Sequence, residues 1–263
     1  MSKIFSLFFI FFLFFNSCAS ESKRAIVIGA SSGMGRAVAK LLAKEGYTLG
    51  LASRRVNLLQ TLQQEIGSES YIKKIDVSQH EEAAVKLGEL IDQMGGLDLI
   101  LICSSSYFGF DNSWESNKRM IDVDVGGFWA MAHEAIKYFE KQGYGHLVGI
   151  SSIDGLRGSA NCPVYSGAKA FISRYLEGIR NMMLKKNIPI YVTDIVPGWV
   201  DVEHTVFSQI PGTYWVSKKE DAAKQIVDAI KTKKKVAYIT KRWQIIAILL
   251  ALLPDYFYNK INF

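Results

Sequence analysis

Ala25-Ile-Val-Ile28 runs without a break into Gly29-Ala-Ser-Ser-Gly33-Met-Gly35 and then into Arg36-Ala-Val-Ala-Lys-Leu-Leu-Ala-Lys-Glu45. Four consecutive apolar residues, three of them β-branched, read as a buried strand. Val38, Leu41 and Leu42 recur at spacings of three and four, as on one face of a helix. Between the two lie glycines in the pattern Gly-x-x-x-Gly-x-Gly. Glycine lets a backbone approach an anion closely, and a helix N-terminus offers unpaired N–H groups at the positive end of its dipole. The spacing is not the Gly-x-Gly-x-x-Gly fingerprint of many dinucleotide sites. A tight turn alone would account for the glycines. Their place after the first strand makes Gly29, Ser31, Ser32, Gly33, Met34 and Gly35 a candidate dinucleotide-phosphate site.

Outward from this unit the alternation continues. Ala25–Ile28, Thr48–Ala52, Tyr71–Ile75, Leu97–Ile102, Gly145–Ile150, Ile188–Ile195 and Val236–Ile239 read as strands. Gly35–Glu45, Leu58–Ile66, Glu81–Met94, Asn117–Gln142, Val164–Lys185 and Lys219–Thr232 read as helices. The strands are continuous apolar runs, as in parallel strands covered on both faces. Strand–helix alternation implies right-handed crossovers, hence an α/β fold: a doubly wound, mostly parallel seven-stranded sheet with helices on both faces. No repeat, low-complexity linker or Pro-rich hinge interrupts residues 23–240, so one domain is expected there.

The chain has 263 residues, 49% hydrophobic and 21% charged, which excludes wholesale disorder and suffices for a core without disulfides. Cys18, Cys103 and Cys162 form neither a disulfide framework nor a metal-ligand pattern, so no metal site is expected. The net charge of +6 is local. Residues 218–263 hold 10 Lys/Arg and 4 Asp/Glu, whereas residues 1–217 hold 21 of each.

Both ends differ from the body. Ile4–Phe15 is apolar except for Ser6, too short for a spanning helix and followed by small residues. Residues 1–22 are therefore expected to be a leader or an anchor. Residues 241–263 combine Lys241 and Arg242 with the apolar stretch Trp243–Leu253, Pro254 and the aromatic cluster Tyr256, Phe257 and Tyr258. Such a helix suits an anionic membrane surface, or it closes over a substrate pocket, and the two readings are compatible. Nucleic acid is not expected, because the basic residues adjoin an oily helix without a recognition motif.

The end of the second strand bears on the cofactor. An acid there would hold the ribose 2′-OH of NAD, whereas an arginine accommodates the 2′-phosphate of NADP. Ser53-Arg54-Arg55 contains no acid, which favours NADP(H) over NAD. Further on, Tyr165-Ser-Gly-Ala-Lys169 lies on a predicted helix, where residues four apart share a face. A free phenol has a pKa near 10, and a nearby ammonium favours its ionised form. Ser152 precedes Tyr165 by thirteen residues and follows the fifth strand.

Together these features resemble the short-chain dehydrogenase/reductase family over roughly residues 23–240. The resemblance rests on Gly29/Gly33/Gly35, Asp76-Val77 after the third strand, Ser152, Tyr165 with Lys169, and Pro197-Gly198 after the sixth strand. It implies a Rossmann-fold catalytic domain that interconverts a carbonyl and an alcohol. Tyr165 would be the general acid/base, Lys169 would hold the nicotinamide ribose and lower the tyrosine pKa, and Ser152 would orient the substrate oxygen. Asp76 and Val77 would contact adenine, Ser104 would adjoin the cofactor, and Pro197, Gly198 and Val200 would flank the nicotinamide. Assembly as a homodimer or homotetramer through two long helices is also implied.

Three positions depart from the family pattern. Ile102-Cys103-Ser104-Ser105 replaces Asn-Asn-Ala-Gly, with Cys103 read as a small buried residue. Asp124 replaces the asparagine that holds a relay water, and is expected to weaken the effect of Lys169 on Tyr165. Asparagine at 124 is then expected to restore or raise activity. The threonine usual after Pro-Gly is absent, with Val202 nearest its place. Trp199, Phe207, Tyr214 and Trp215 suggest either an apolar substrate or aromatic packing against the tail, and His204 is read as surface. A reductase needs reduced cofactor, which argues for a membrane-associated enzyme facing the cytoplasm, while Ile4–Phe15 argues for export by a signal peptide. Two other readings are a cofactor-binding sensor or scaffold on the same fold, and an epimerase or dehydratase.

Overall fold

The computed structural model describes residues 23–106, 111–203 and 214–260. The segment expected to be a leader or anchor, together with His204 and Phe207, lies outside the described residues. The chain opens with β1 (Arg24–Ile28), α1 (Gly33–Lys44), β2 (Thr48–Ser53), α2 (Val56–Ile66), β3 (Ser70–Lys74), α3 (His80–Met94) and β4 (Leu99–Ile102). It continues through α4 (Trp114–Met120), a π-helical stretch (Ile121–Gly127), α5 (Phe128–Gln142), β5 (Gly145–Ile150), a 3-10 turn (Ile153–Gly155), α6 (Pro163–Lys186) and β6 (Ile190–Pro197). A short ladder of β7 (Val200–Asp201) and β8 (Ser217–Lys218) follows, then α7 (Lys219–Lys231), β9 (Val236–Ile239), α8 (Trp243–Leu252) and α9 (Asp255–Tyr258).

Seven strands form one sheet in the order β3-β2-β1-β4-β5-β6-β9, and every pairing is parallel. The continuous apolar strands are explained by two cores. In β1, Ile26 and Ile28 face a core with Leu87, Leu90, Met131 and Phe139, while Ala25 and Val27 face one with Val38, Leu42, Leu59 and Ile226. Period-two alternation thus separates two apolar faces, with helices α3, α5 and α6 on one side and α1, α2 and α7 on the other. The order reverses between β1 and β4, and in such sheets ligands bind at that switch point, beyond the strands' carboxyl ends.

The expected helix Asn117–Gln142 is instead two α-helices joined through the π-helical stretch Ile121–Gly127. Close approach is one reason: a side chain on Gly127 would come within 2.7 Å of the Val77 carbonyl oxygen, and one on Gly126 would collide with the His80 ring. Wide π turns shift which residues face inward and often mark functional sites. Here the turn delivers Asp124 to the crevice. Among the described residues no helix is long and apolar enough to cross a membrane.

Candidate active site

A cavity of about 320 Å³ opens at the switch point. One end is built from the β1–α1 turn. Gly35 packs so closely under the turn that a Cβ would stand 2.5 Å from the Gly29 carbonyl oxygen, which fixes how α1 leaves the strand. Gly33 adopts φ +56°, a conformation suited to glycine. Gly33 and Met34 of the first turn of α1 line the cavity, the N-cap Ser32 makes no side-chain cap bond, and the Gly33 N–H donates to Glu203 Oε2 at 3.0 Å. Arg55 covers the turn: Nε and Nη2 reach Ser31 Oγ at 3.2 and 2.8 Å, and Nη2 reaches Ser32 Oγ at 2.5 Å. Ser53 Oγ accepts from the Arg55 backbone N–H at 3.1 Å and so sets the arginine's place. A helix N-terminus in the cavity wall, close-packed glycines and a guanidinium fit a dinucleotide with an extra phosphate.

At the other end α6 begins with Pro163 at a position that needs no N–H, and it presents Tyr165 and Lys169 on one face. Lys169 Nζ lies 5.5 Å from the Tyr165 ring centroid. Ser152 ends the strand–turn junction after β5: its Oγ accepts from the Asp154 N–H at 3.1 Å and donates to Asp154 Oδ2 at 3.4 Å, and it lines the cavity with Tyr165. Lys169 is held from behind. Its Nζ donates to Asp124 Oδ1 at 3.0 Å and to the Ile150 carbonyl at 3.4 Å. The fully buried Asp124 also accepts from Ser105 Oγ at 2.6 Å, Ser106 N–H at 2.9 Å and Ser106 Oγ at 3.2 Å.

The electrostatics differ from the expectation for the phenol. Burial raises the Tyr165 pKa; Lys169 and Ser152 pull it down, but Asp154 and Asp124 push it up, and the net direction is upward. Burial lowers the Lys169 pKa, but Asp124 together with Tyr165 and Cys103 outweighs it and the net direction is upward, so the ammonium is held. Burial pushes the Cys103 thiol up to about 11, leaving it a protonated small residue beside Gly35 rather than a nucleophile.

Residues 23–209 match the short chain dehydrogenase family. An uncharacterized oxidoreductase of Myxococcus xanthus is 33% identical over 196 residues, covering 72% of this chain and 76% of that one. The chain belongs to the short-chain dehydrogenase/reductase family. Another relative, an uncharacterized oxidoreductase of Staphylococcus aureus, is 32% identical over 190 residues, 70% of this chain and 80% of its own. A short-chain dehydrogenase/reductase from Burkholderia phymatum, solved with NAD, superposes with TM-score 0.77 at 17% identity, over 87% of this chain and 92% of that one. A serine dehydrogenase solved with NADP+ gives TM-score 0.73 at 22% identity, over 82% and 93%. These two likenesses are of fold. Membership makes the protein an NAD(P)-dependent oxidoreductase on the Rossmann-type sheet described above.

Of the candidate residues, Gly29, Ser31, Ser32, Gly33, Met34, Ser53, Arg54 and Arg55 line one end of the cavity. Ser152, Tyr165, Lys169, Pro197, Gly198 and Val200 line the other. Gly35, Asp76, Val77, Ser104 and Asp124 lie outside its wall. Asp76 turns back on Ser78, accepting from its N–H at 3.1 Å and its Oγ at 2.8 Å. Ser104 Oγ is buried without a partner among the described residues, one residue before the serine that does reach the cavity, Ser105. Asp154 was not singled out from sequence, although an acid two residues after Ser152 was a readable signal. It lines the cavity, and burial raises its pKa against the opposing pull of Ser152 and Lys169.

The C-terminal helix packs behind this site's wall, against Gly198 and Trp199. Trp243 is buried against Trp199 and Trp215 at centroid distances of 5.3 and 5.5 Å, and its Nε1 donates to the Trp215 carbonyl at 3.0 Å. Its indole lies directly on Gly198, where a Cβ would collide with the ring. Arg157, just past Ser152, ties down the tail through the Leu250 and Leu253 carbonyls at 3.2 and 2.7 Å and Asp255 Oδ1 at 2.6 Å. Among the described residues no cluster of metal-ligating side chains is present.

Proposed function

We propose that this oxidoreductase uses NADP(H) to interconvert a lipophilic carbonyl compound and its alcohol, with Tyr165 as the acid/base. The observation that carries the reading is Tyr165 in one cavity wall with Ser152, backed by the Lys169 ammonium. A bound nicotinamide would supply or take the hydride. The chain supplies the rest. Ser152 Oγ holds the carbonyl oxygen, and Tyr165 gives that oxygen its proton on reduction and takes it back on oxidation. Lys169, fixed by Asp124, holds the ribose hydroxyls and supports the phenolate left after transfer. Arg55 over Ser31 and Ser32, with no acid at the end of β2, supports NADP(H) over NAD. Asp76, Val77 and Ser104 contact the adenosine side on this reading. Trp199 in the cavity wall supports an apolar substrate.

Tyr165→Phe tests it with NADPH consumption over a panel of lipophilic ketones and aldehydes. The variant folds, binds NADPH and loses about 10²–10⁴-fold in turnover. Near-normal turnover would remove Tyr165 from the chemistry; NADPH binding by the wild type without turnover of any panel member would favour a sensor.

The outer face of α8 supports attachment to an anionic membrane surface on the cytoplasmic side. Ile245, Ile248, Leu249 and Leu252 are exposed beside Tyr256 and Phe257, in the part of the chain that carries the whole net charge of +6. Co-sedimentation with phosphatidylglycerol vesicles but not with phosphatidylcholine vesicles, abolished by Ile248→Glu with Leu249→Glu, is the expected result. Assembly as a homodimer or homotetramer through α5 and α6 belongs to the same reading, and analytical ultracentrifugation decides it.

A further inference from the structure

Glu203 seats a carboxylate on the N-terminus of α1. Its Oε2 accepts from the Gly33 N–H at 3.0 Å, and its Oε1 pairs with Lys219 Nζ. α1 has no anion of its own: its first turn contains no acidic residue, and Ser32 leaves the helix uncapped by a side chain. Unpaired N–H groups at the positive end of a helix attract the nearest anion. Glu203 lines the same cavity as Gly33, Ser32 and Tyr165. The β7–β8 ladder, which pairs Asp201 with Lys218, places Lys219 at the start of α7 beside it. Burial raises the Glu203 pKa, but Lys219 and the backbone donors outweigh burial, and the net direction is downward, so the group is ionised at neutral pH.

The Gly33 N–H is also where a dinucleotide pyrophosphate would be received at the end of β1. We propose that Glu203 is an internal stand-in for the cofactor pyrophosphate, and that the Glu203–Lys219 pair sets dinucleotide affinity. Binding of NADP(H) displaces the carboxylate from Gly33 and frees the Lys219 ammonium to pair with phosphate. The inference rests on the dinucleotide reading of the crevice. It assigns opposite signs to two neighbouring residues: the acid competes with the ligand and the lysine recruits it.

The test is NADPH affinity, measured on the full chain by the fluorescence of the bound nucleotide. Glu203→Gln removes the competing charge and lowers Kd about tenfold, whereas Lys219→Gln raises it about tenfold, each a change of about 1.4 kcal/mol. The lysine substitution also weakens binding in the Glu203→Gln background, which a lysine serving only to neutralise Glu203 would not do. Loss of the carboxylate cap lowers the melting temperature of the ligand-free protein while enlarging the shift produced by NADPH. Glu203→Ser is measured alongside, so that a folding defect in one variant does not decide the outcome. Unchanged or weaker binding by folded Glu203 variants overturns the proposal. No nucleotide signal with the wild type and all variants would instead overturn the dinucleotide reading itself.

Discussion

Replacing Asp124 with asparagine changes one heavy atom and removes one fully buried charge. Oδ1 accepts from Lys169 Nζ at 3.0 Å and Ser105 Oγ at 2.6 Å, and Oδ2 accepts from the Ser106 N–H at 2.9 Å and Ser106 Oγ at 3.2 Å. An amide can keep its oxygen toward Lys169, but its NH2 then faces the Ser106 N–H, donor against donor. Lys169, itself only 2% exposed, loses its counter-charge. Removing one partner of a buried ion pair costs about 3–5 kcal/mol, and the surviving acceptor puts the expected loss near about 3 kcal/mol. In a domain of this size that is about 6–12 °C in Tm. The effect on chemistry is separate. Asp124 helps to raise the Tyr165 pKa, so without it the lysine, 5.5 Å from the ring centroid, acts with less opposition and the pKa falls. Because reduction needs the protonated phenol, activity is lost as pH rises through the Tyr165 pKa, and in Asp124→Asn that loss moves to lower pH. The family's asparagine suggested a gain in activity; the geometry replaces it with a less stable protein and a displaced pH limb. Urea unfolding of Asp124→Asn, Lys169→Met and the double variant, with NADPH-consumption profiles of wild type and Asp124→Asn, measures both effects. The double variant costs less than the sum of the singles. A loss below about 1 kcal/mol, additive singles and an unmoved limb would refute the ion pair's role.

Arg55→Leu removes the guanidinium over Ser31 and Ser32; NADPH Kd rises about 10–100-fold, corresponding to about 1.5–3 kcal/mol, while NADH Kd changes little, as titration of both nucleotides checks. Gly35→Ala places a methyl 2.5 Å from the Gly29 carbonyl oxygen, so α1 shifts and stability falls by about 1–3 kcal/mol in urea unfolding, with NADPH binding weakened. Burial lowers the His146 pKa to about 4 from an unfolded value near 6.5. The unfolded chain therefore binds the extra proton first, and stability present above pH 6.5 is lost as pH falls toward 4; between pH 7 and pH 5 this is about 2 kcal/mol, absent in His146→Gln. Arg157→Leu releases the Leu250 and Leu253 carbonyls, and amide exchange in residues 250–258 becomes faster while β1 and β4 keep their protection.

The strands were legible because a parallel sheet covered on both faces needs nothing but continuous apolar runs, as in Leu99–Ile102. Ser152, Tyr165 and Lys169 were legible because their spacing is local to one strand end and one helix. The π-helical stretch was not. An extra residue in a turn leaves the apolar spacing around Val123 and Phe128 helix-like, and its cause lies in Val77 and His80, more than forty residues away. Asp124 was noticed as a departure, yet its partners Ser105 and Ser106 come from the loop after β4, which spacing along a helix cannot reveal. Glu203 carried no local signal, since its cap on Gly33 spans 170 residues of sequence. The C-terminal stretch read as uniformly oily, but the fold splits it. Trp243, Ala247 and Leu250 are buried over Ile153, while Ile245, Ile248, Leu249 and Leu252 remain outside.

The charges around Tyr165 bear on the direction of the reaction. Asp154 lines the site, Asp124 lies buried behind Lys169, and Lys169 is the ammonium opposing both. Burial and the two carboxylates together hold the phenolic proton on Tyr165 more firmly than water would, despite Lys169 and Ser152. Before any ligand arrives the site therefore holds a proton donor, which is the form that carbonyl reduction needs. Oxidation of an alcohol needs the opposite form. A cationic oxidised nicotinamide beside the phenol would favour that form by offsetting the carboxylates, whereas the neutral reduced ring would leave the proton in place. The same residues would thus favour a protonated Tyr165 beside reduced cofactor and ease its ionisation beside oxidised cofactor, the form each direction requires.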